Sequence, residues 1–417
     1  MKFVAGIVVS YFFVAPVLAQ DSSKVNKNSG DSTRVAVLNA VVVTASRIPE
    51  SILQSPVSIE KQTAVYFKNS ASPSFFDALE NVKGIQMITP SLGFKVINTR
   101  GFANTTNVRF AQLVDGMDIQ APHLGAPIAN ALGPNDLDIE SAEIIPGAAS
   151  ALYGMNTING LANFITKDPF TSEGVSIQQK TGVNHLHDAK SSPSIFTETS
   201  LRIAHAFSDK FAFKINATFT KGNDWVADDR TDLNATANSS AGLTGADNPA
   251  TDPVNGYGNE SSNRRTLVLQ GKSYVVSRTG YYEKQIADYQ LQNAKADATL
   301  VYKINKNSTL SYTYKFAILD NIYQRANRFR LANYRVQQQG FTLKTLAVTA
   351  HAYWNAENTG DSYNLRSMAE NMDKAFKPDD NWFNNYTSRF NSSVAAGAPI
   401  PQALQMARSF ADSGRFE

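Results

Sequence analysis

The chain has 417 residues, a formal net charge of +3 and no cysteine. So small a charge does not argue for a nucleic-acid partner. The missing thiols exclude disulfides, a cysteine nucleophile, thiolate-ligated metal and an acylated cysteine. Charged residues make up 18%, below the roughly 25% of an average soluble domain. Polarity comes instead from Asn, Ser, Thr and Gln beside abundant Tyr and Phe, which suits strands with one apolar and one wet face.

Residues 1–19 read as a secretory signal peptide: Lys2 is the positive n-region, Phe3 to Val17 is apolar except at Ser10, Tyr11 and Pro16, and Val17-Leu18-Ala19 precedes a cleavage position before Gln20. The run is shorter than the ~20 residues of a membrane span, and no later segment resembles one. Residues 20–34 are Ser, Asn, Asp and Lys and are expected to be disordered, so that 20–46 forms a leader. Residues 35–45 (VAVLNAVVVTA) are strongly β-prone without polar alternation. They read either as a buried strand or as a segment that adds to another protein's sheet edge.

Residues 47–168 have a compact α+β pattern. Residues 55–59 alternate like a strand. Ser72-Pro73-Ser74 opens a predicted helix with Pro in its first turn; Phe75, Phe76, Leu79 and Val82 form its apolar face and Gly84 ends it. Short strands are predicted at 96–100, 111–114, 142–145 and 161–166, and Asp115-Gly116 marks a tight turn. The most distinctive stretch is 138–167: an acidic strand, the Pro146-Gly147 turn, Ala-Leu-Tyr-Gly with Ser150 as a cap and Gly154 as its end, then a second apolar strand.

Beyond Gly174 the apolar period becomes two. Phe211, Phe213, Ile215, Ala217 and Phe219 alternate with polar or small residues, as do Leu310 to Ile318, Thr199 to Ile203, and Leu346, Val348, Ala350 and Ala352. Such strands match transmembrane β-strands of about 9–11 residues. Lys210 marks a short turn and residues 223–264 a long polar loop, the asymmetry of an outer-membrane barrel. A soluble β-sandwich also alternates, but it does not need aromatic residues at both strand ends. Residues 364–376 and 401–410 read as helical, and 409–417 as a polar, open-ended tail.

Three blocks in this order resemble TonB-dependent outer-membrane receptors. Val41, Val42, Val43, Thr44 and Ala45 look like the TonB box, which in that family lies in the periplasm and is gripped by TonB as an added strand. Asn98-Thr99-Arg100-Gly101-Phe102 with Val114-Asp115-Gly116-Met117 is similar to the plug's Arg-Gly-Phe strand end and Val-Asp-Gly turn; its form looks closest to receptors of Bacteroidetes-type bacteria. Gly101 lets the backbone turn, and Arg100 is expected to pair with an acid in the plug–barrel contact. The third block, 138–167 with Gly147, Tyr153 and Gly154, resembles the end of the plug.

The resemblance implies an α+β plug domain (47–168) followed by antiparallel transmembrane β-barrel strands (169–417) with long extracellular loops. It also implies an outer-membrane location with lipid contact, TonB as partner, and energy-coupled uptake of a scarce nutrient. Iron chelates are the commonest family substrate; cobalamin, haem and oligosaccharides stay open. Substrate candidates are Asn104 and Asn107 in the 103–107 loop and His123 in the 121–127 loop. No cofactor or metal is expected: His185 and His187 lack a third ligand nearby, and no nucleophile elbow, phosphate loop or dinucleotide fingerprint suggests an enzyme. One rival is a barrel-anchored adhesive surface protein; another is a secreted hydrolase of sandwich fold.

The family's barrel has 22 strands, which takes on the order of 500 residues, whereas roughly seven to nine strands fit after Asp168. The expectation is therefore an incomplete barrel of the 22-stranded type, a fragment of the full transporter unable to close a pore by itself. A heat-modifiable, protease-resistant barrel refolded from these 417 residues would refute it.

Overall fold

The computed structural model describes residues 41–47, 50–102, 104–187, 190–259, 264–324 and 328–415. The signal-peptide reading and the leader up to residue 40 lie outside the described residues.

The first unit is built on β1 (Val41–Val42), β2 (Glu50–Ser51), β3 (Glu60–Thr63), α1 (Ala64–Asn69), α2 (Phe75–Ala78), β4 (Ile85–Ser91), β5 (Phe94–Thr99), β6 (Phe110–Val114), β7 (Met117–Asp118), β8 (Gln120–Ala121), β9 (Ala126–Pro127), β10 (Ile139–Pro146), α3 (Ser150–Tyr153) and β11 (Gly160–Thr166). A five-stranded sheet runs in the order β3-β10-β11-β6-β7, with β11 and β6 parallel and the other pairs antiparallel. The predicted strands at 96–100, 111–114, 142–145 and 161–166 fall on β5, β6, β10 and β11. Phe75, Phe76, Leu79 and Val82 are buried as the helical pattern requires, and Phe75 meets Phe164 of β11 edge to face at 5.6 Å.

Two local expectations are corrected. Residues 55–59 are not a strand: Pro56 supplies no N–H, and the Ser55 hydroxyl turns onto the backbone of Val57, so pairing begins at Glu60. The helix is capped by Ser74, whose Oγ accepts the Asp77 N–H at 3.1 Å, so Pro73 precedes the cap instead of entering the first turn. It is also shorter, tightening into a 3₁₀ turn at Leu79–Asn81.

The second unit is a wall of long antiparallel strands: β12 (Gly174–Asn184), β13 (Ser194–Ala206), β14 (Phe211–Asn223), β19 (Gln290–Asn305), β20 (Ser308–Gln324), β21 (Arg328–Lys344) and β22 (Thr349–Asn358), with β23 (Tyr363–Asn364) joined to β21. Period-two patterning sorts its faces. One rank across six strands, Arg202, Asn216, Asp297, Lys315, Gln338 and Asn355, is wholly polar; three residues along, the rank His205, Phe213, Leu300, Tyr312, Phe341 and Ala352 is apolar except at His205. The polar face turns to the plug and the apolar face outward, the arrangement of a transmembrane barrel wall. Among the described residues no helix is long and apolar enough to cross a membrane. The last strand starts later than expected: Leu346 and Val348 lie in a turn where the Thr345 N–H donates to Val348 O, and β22 begins at Thr349.

The long connections form a third unit at the outer strand ends, made of β15 (Gly256–Tyr257), β16 (Arg264–Leu269), β17 (Lys272–Ser277), β18 (Tyr281–Tyr282), α4 (Glu283–Ile286), α5 (Leu365–Phe376), α6 (Asp379–Ala395) and α7 (Ile400–Ala411). Here the described residues of 223–264 form the expected loop, carrying short 3₁₀ turns and β15, while the expected open-ended tail is corrected. Leu269, Val276, Trp382, Tyr386, Phe390 and Leu404 share one buried core, and Arg415 closes on Asp373 at 2.8 Å. α5 and α7 match the two predicted helices; α6 was not predicted, although Trp382, Tyr386 and Phe390 carry a four-residue period.

Candidate functional site

Segment 41–47 is folded onto the plug. Val42, Thr44 and Ala45 are buried, with Val42 and Ala45 among Ile59, Ile145 and Leu161. The anchor is Glu143, in the middle of β10. Its Oε2 accepts the Val43 N–H at 3.0 Å, the Thr44 N–H at 2.9 Å and the Thr44 hydroxyl at 2.6 Å, while Lys61 pairs with its Oε1 at 3.2 Å. A fully buried carboxylate is tolerable only when satisfied in this way. Asn163 Nδ2 donates to Thr44 Oγ1 at 3.2 Å, and Tyr153 OH donates to Thr44 O at 2.9 Å. Burial pushes the Tyr153 hydroxyl up from its ordinary pKa, which keeps its proton available for that bond. Arg47 lies over the Tyr153 ring at 4.4 Å and donates to Leu152 O. Within 138–167, Glu143, Leu152, Tyr153 and Asn163 thus hold residues 41–47.

The other plug motif residues are mostly backbone devices. Arg100 and Gly101 turn the chain with φ of 52° and 79°, and Asp115 and Gly116 with 51° and 85°. Asp115 accepts the Thr166 N–H at 2.9 Å and its hydroxyl at 2.6 Å, tying the turn to β11. Phe102 is 74% exposed. Among the described residues Arg100 meets no acid in the plug–wall contact; its guanidinium covers Gly147, where an added Cβ would lie 2.7 Å from it. Ser150 is not a cap either: Ala149 holds that position, and Ser150 O accepts the Gly154 N–H at 2.9 Å.

Among the described residues two plug acids do join plug to wall, Asp136 on Lys180 and the more deeply buried Asp138, which sequence reasoning left without a role. Asp138 is buried against Arg202 Nε at 2.8 Å, Lys214 Nζ at 2.8 Å and Asn216 Nδ2 at 3.1 Å. Lys295 donates to the carbonyls of Asn130, Gly133 and Pro134 at 3.0, 3.1 and 3.2 Å. Gln338 and Asn355 reach Asp118 O at 2.7 and 3.1 Å. The available signal was the inward polar rank, legible once the strand register is known.

At the other end of the wall the loop at 121–127 approaches the ends of β20, β21 and β22. His123 and Leu124, with Tyr323, Phe329, Tyr334 and Glu357, line a cavity of about 250 Å³. The His123 N–H donates to Glu357 Oε2 at 2.6 Å. Asn107 is not at this surface: it is buried, and its Nδ2 donates to Ile97 O, Asn98 Oδ1 and Asn159 Oδ1 at 3.1, 3.0 and 2.6 Å. Asn104 is exposed, but its side chain is turned onto the Thr106 N–H at 3.0 Å. Of the three substrate candidates, His123 lines the cavity at the outer end of the wall, while Asn107 lines only a small internal void between plug and wall. No cluster of three or more His, Cys, Asp or Glu able to hold a metal occurs among the described residues, and His185 Nε2 lies 2.9 Å from Asn223 O.

The described residues thus form an α+β domain seated against the polar face of a membrane-type β-wall. The family model for the TonB-dependent receptor plug domain matches residues 51–161. Residues 51–161 thus carry the likeness to the plug domain of TonB-dependent receptors. The vitamin B12 transporter BtuB of Vibrio vulnificus (strain CMCP6) is 30% identical over 188 residues, which is 42% of this chain and 29% of that protein. The siderophore receptor PirA from Pseudomonas aeruginosa is 14% identical with a TM-score of 0.41, over 75% of this chain and 43% of that one. A mutant of the ferric enterobactin receptor PfeA from the same organism gives 15% identity and a TM-score of 0.44, over 76% and 42%. The chain thus spans less than a third of the curated relative and under half of these two structures.

Proposed function

We propose that the receptor to which this chain belongs imports a scarce nutrient across the outer membrane, driven by TonB. In this reading residues 1–19 direct export, Val41–Ala45 is the strand that TonB takes up, and the nutrient enters from the long-loop end. The supporting observation is the opposition of two features across one plug. Segment 41–47 lies toward the short-turn end: Arg47 and Asp115 both act electrostatically on His351, which follows the 345–348 turn. The His123 cavity lies at the far end of the same strand, beside Glu357. A ligand arriving at one end and a pull applied at the other is the layout that gated import requires. The relatives are a vitamin B12 transporter and siderophore receptors, so a corrinoid or an iron chelate is the class to try first. No bond chemistry is assigned to the chain.

The test deletes Val41–Ala45 from the full-length receptor in its native outer membrane. Uptake of the nutrient should stop while surface binding persists; unchanged uptake rejects TonB coupling. An adhesive protein would keep its surface binding and show no energy-dependent uptake in either form.

A further inference from the structure

The His123 cavity has a chemistry that separates ligand classes, and this step rests on the import reading above. Its inner wall is Tyr323, 2% exposed, whose ring lies on Phe94 of the plug with centroids 4.1 Å apart. The Tyr323 hydroxyl shares a hydrogen bond of 2.6 Å with Thr106 Oγ1, so plug and wall hold this ring together. Phe329 stands 6.2 Å from it, and Tyr334 and Tyr363 complete an aromatic lining. One carboxylate enters: Glu357 is oriented by the His123 N–H on Oε2 and by the Tyr334 hydroxyl on Oε1. Ring faces carry negative potential and draw cations, most strongly where water is excluded. A fixed carboxylate beside them adds attraction for a positive group and opposes a negative one. The volume admits one or two rings, not a whole macrocycle.

We infer that this cavity receives a flat, conjugated ring of an uncharged or cationic ligand and turns away polyanionic chelates. Tyr363 stacks on the ring, Tyr323 and Tyr334 back the cavity wall, and Glu357 sets the charge preference.

The test uses the receptor in isolated outer membranes and two porphyrins of one shape, tetrakis(N-methylpyridinium)porphyrin and its tetrasulfonated counterpart, which differ in the sign of their charged rings. The unmodified protein is expected to bind the cationic porphyrin at least tenfold more tightly, measured by equilibrium binding. Glu357→Lys should abolish or reverse the preference, and Tyr363→Ala should weaken the cationic probe about tenfold with the plug still protease-resistant. Equal binding of both probes, tighter binding of the anionic one, or binding of neither overturns the inference. Because the comparison is made first on the unmodified protein, a misfolded variant does not blunt it. Failure of the Val41–Ala45 deletion to stop uptake would reject import coupling separately, leaving the charge preference to its own measurement.

Discussion

Glu143 shows how one buried charge can hold a short N-terminal segment onto the plug. Three donors from Val43 and Thr44 and the Lys61 ammonium converge on one carboxylate, each charged hydrogen bond worth roughly 1.5–3 kcal/mol. Glu143→Ala should free residues 41–47, seen as at least tenfold faster tryptic cleavage after Arg47; unchanged cleavage would mean that the apolar contacts of Val42 and Ala45 suffice. Tyr153→Phe removes the bond to Thr44 O together with the hydroxyl's contact with Arg47 and should speed that cleavage by several-fold, in keeping with about 1 kcal/mol. Asp138 is the opposite case, a charge whose loss strands others. Asp138→Ala leaves Arg202 and Lys214 buried and unpaired and should cost on the order of 3–5 kcal/mol in plug seating, measurable as a fall in the denaturant midpoint for plug release. Neither role was visible in sequence, because an acid's partners lie tens of residues away and depend on register.

Among the elements, β10 and β11 with the turn between them are the most constrained. Gly160 has φ of 142°, and a Cβ there would lie 2.8 Å from both Ile145 O and the Phe110 ring, so Gly160→Ala should destabilise the plug by about 1–3 kcal/mol in equilibrium unfolding. The outer helical unit carries a pH dependence of its own. Burial raises the Asp373 carboxyl to about 6 despite Arg415 and Arg278 beside it. A carboxyl raised in the folded state binds a proton there before it does in the unfolded chain, so its contribution to stability grows as pH falls from about 6 toward 4. Proteolysis of α5–α7 should therefore slow as pH is lowered through that window, and Asp373→Asn should flatten the slope. α5 and α7 were readable from periodicity and turn residues. α6 was hidden by the Asn and Ser that fill its exposed positions, though its apolar spacing was present all along.

At the scale of the whole molecule, the wall sorts its residues by side: polar ranks face the plug and apolar ranks face outward. That sorting predicts opposite responses on one strand. Leu300→Arg on the outward face should cost about 2–4 kcal/mol of stability in the bilayer if it sits near the midplane, whereas exchange of the neighbouring Thr299 for Ser should change stability little; folding titrations in lipid vesicles check both. The strand order leaves β12 and β22 each paired on one side among the described residues, consistent with a wall that spans part of a circumference.

The plug domain, its strands at 94–99, 110–114, 139–146 and 160–166 and the alternating wall were legible because they rest on local signals: β-prone runs, glycines at turns and a period of two. The 138–167 stretch could be recognised by order and spacing alone. What the tertiary structure decided is which charges meet. It gave Glu143 and Tyr153 to segment 41–47, moved the plug–wall pairing from Arg100 to Asp138, buried Asn107 and brought His123 to an aromatic cavity. Those outcomes depend on how strands register and on which elements pack across long sequence separations, and a local pattern carries no information about either.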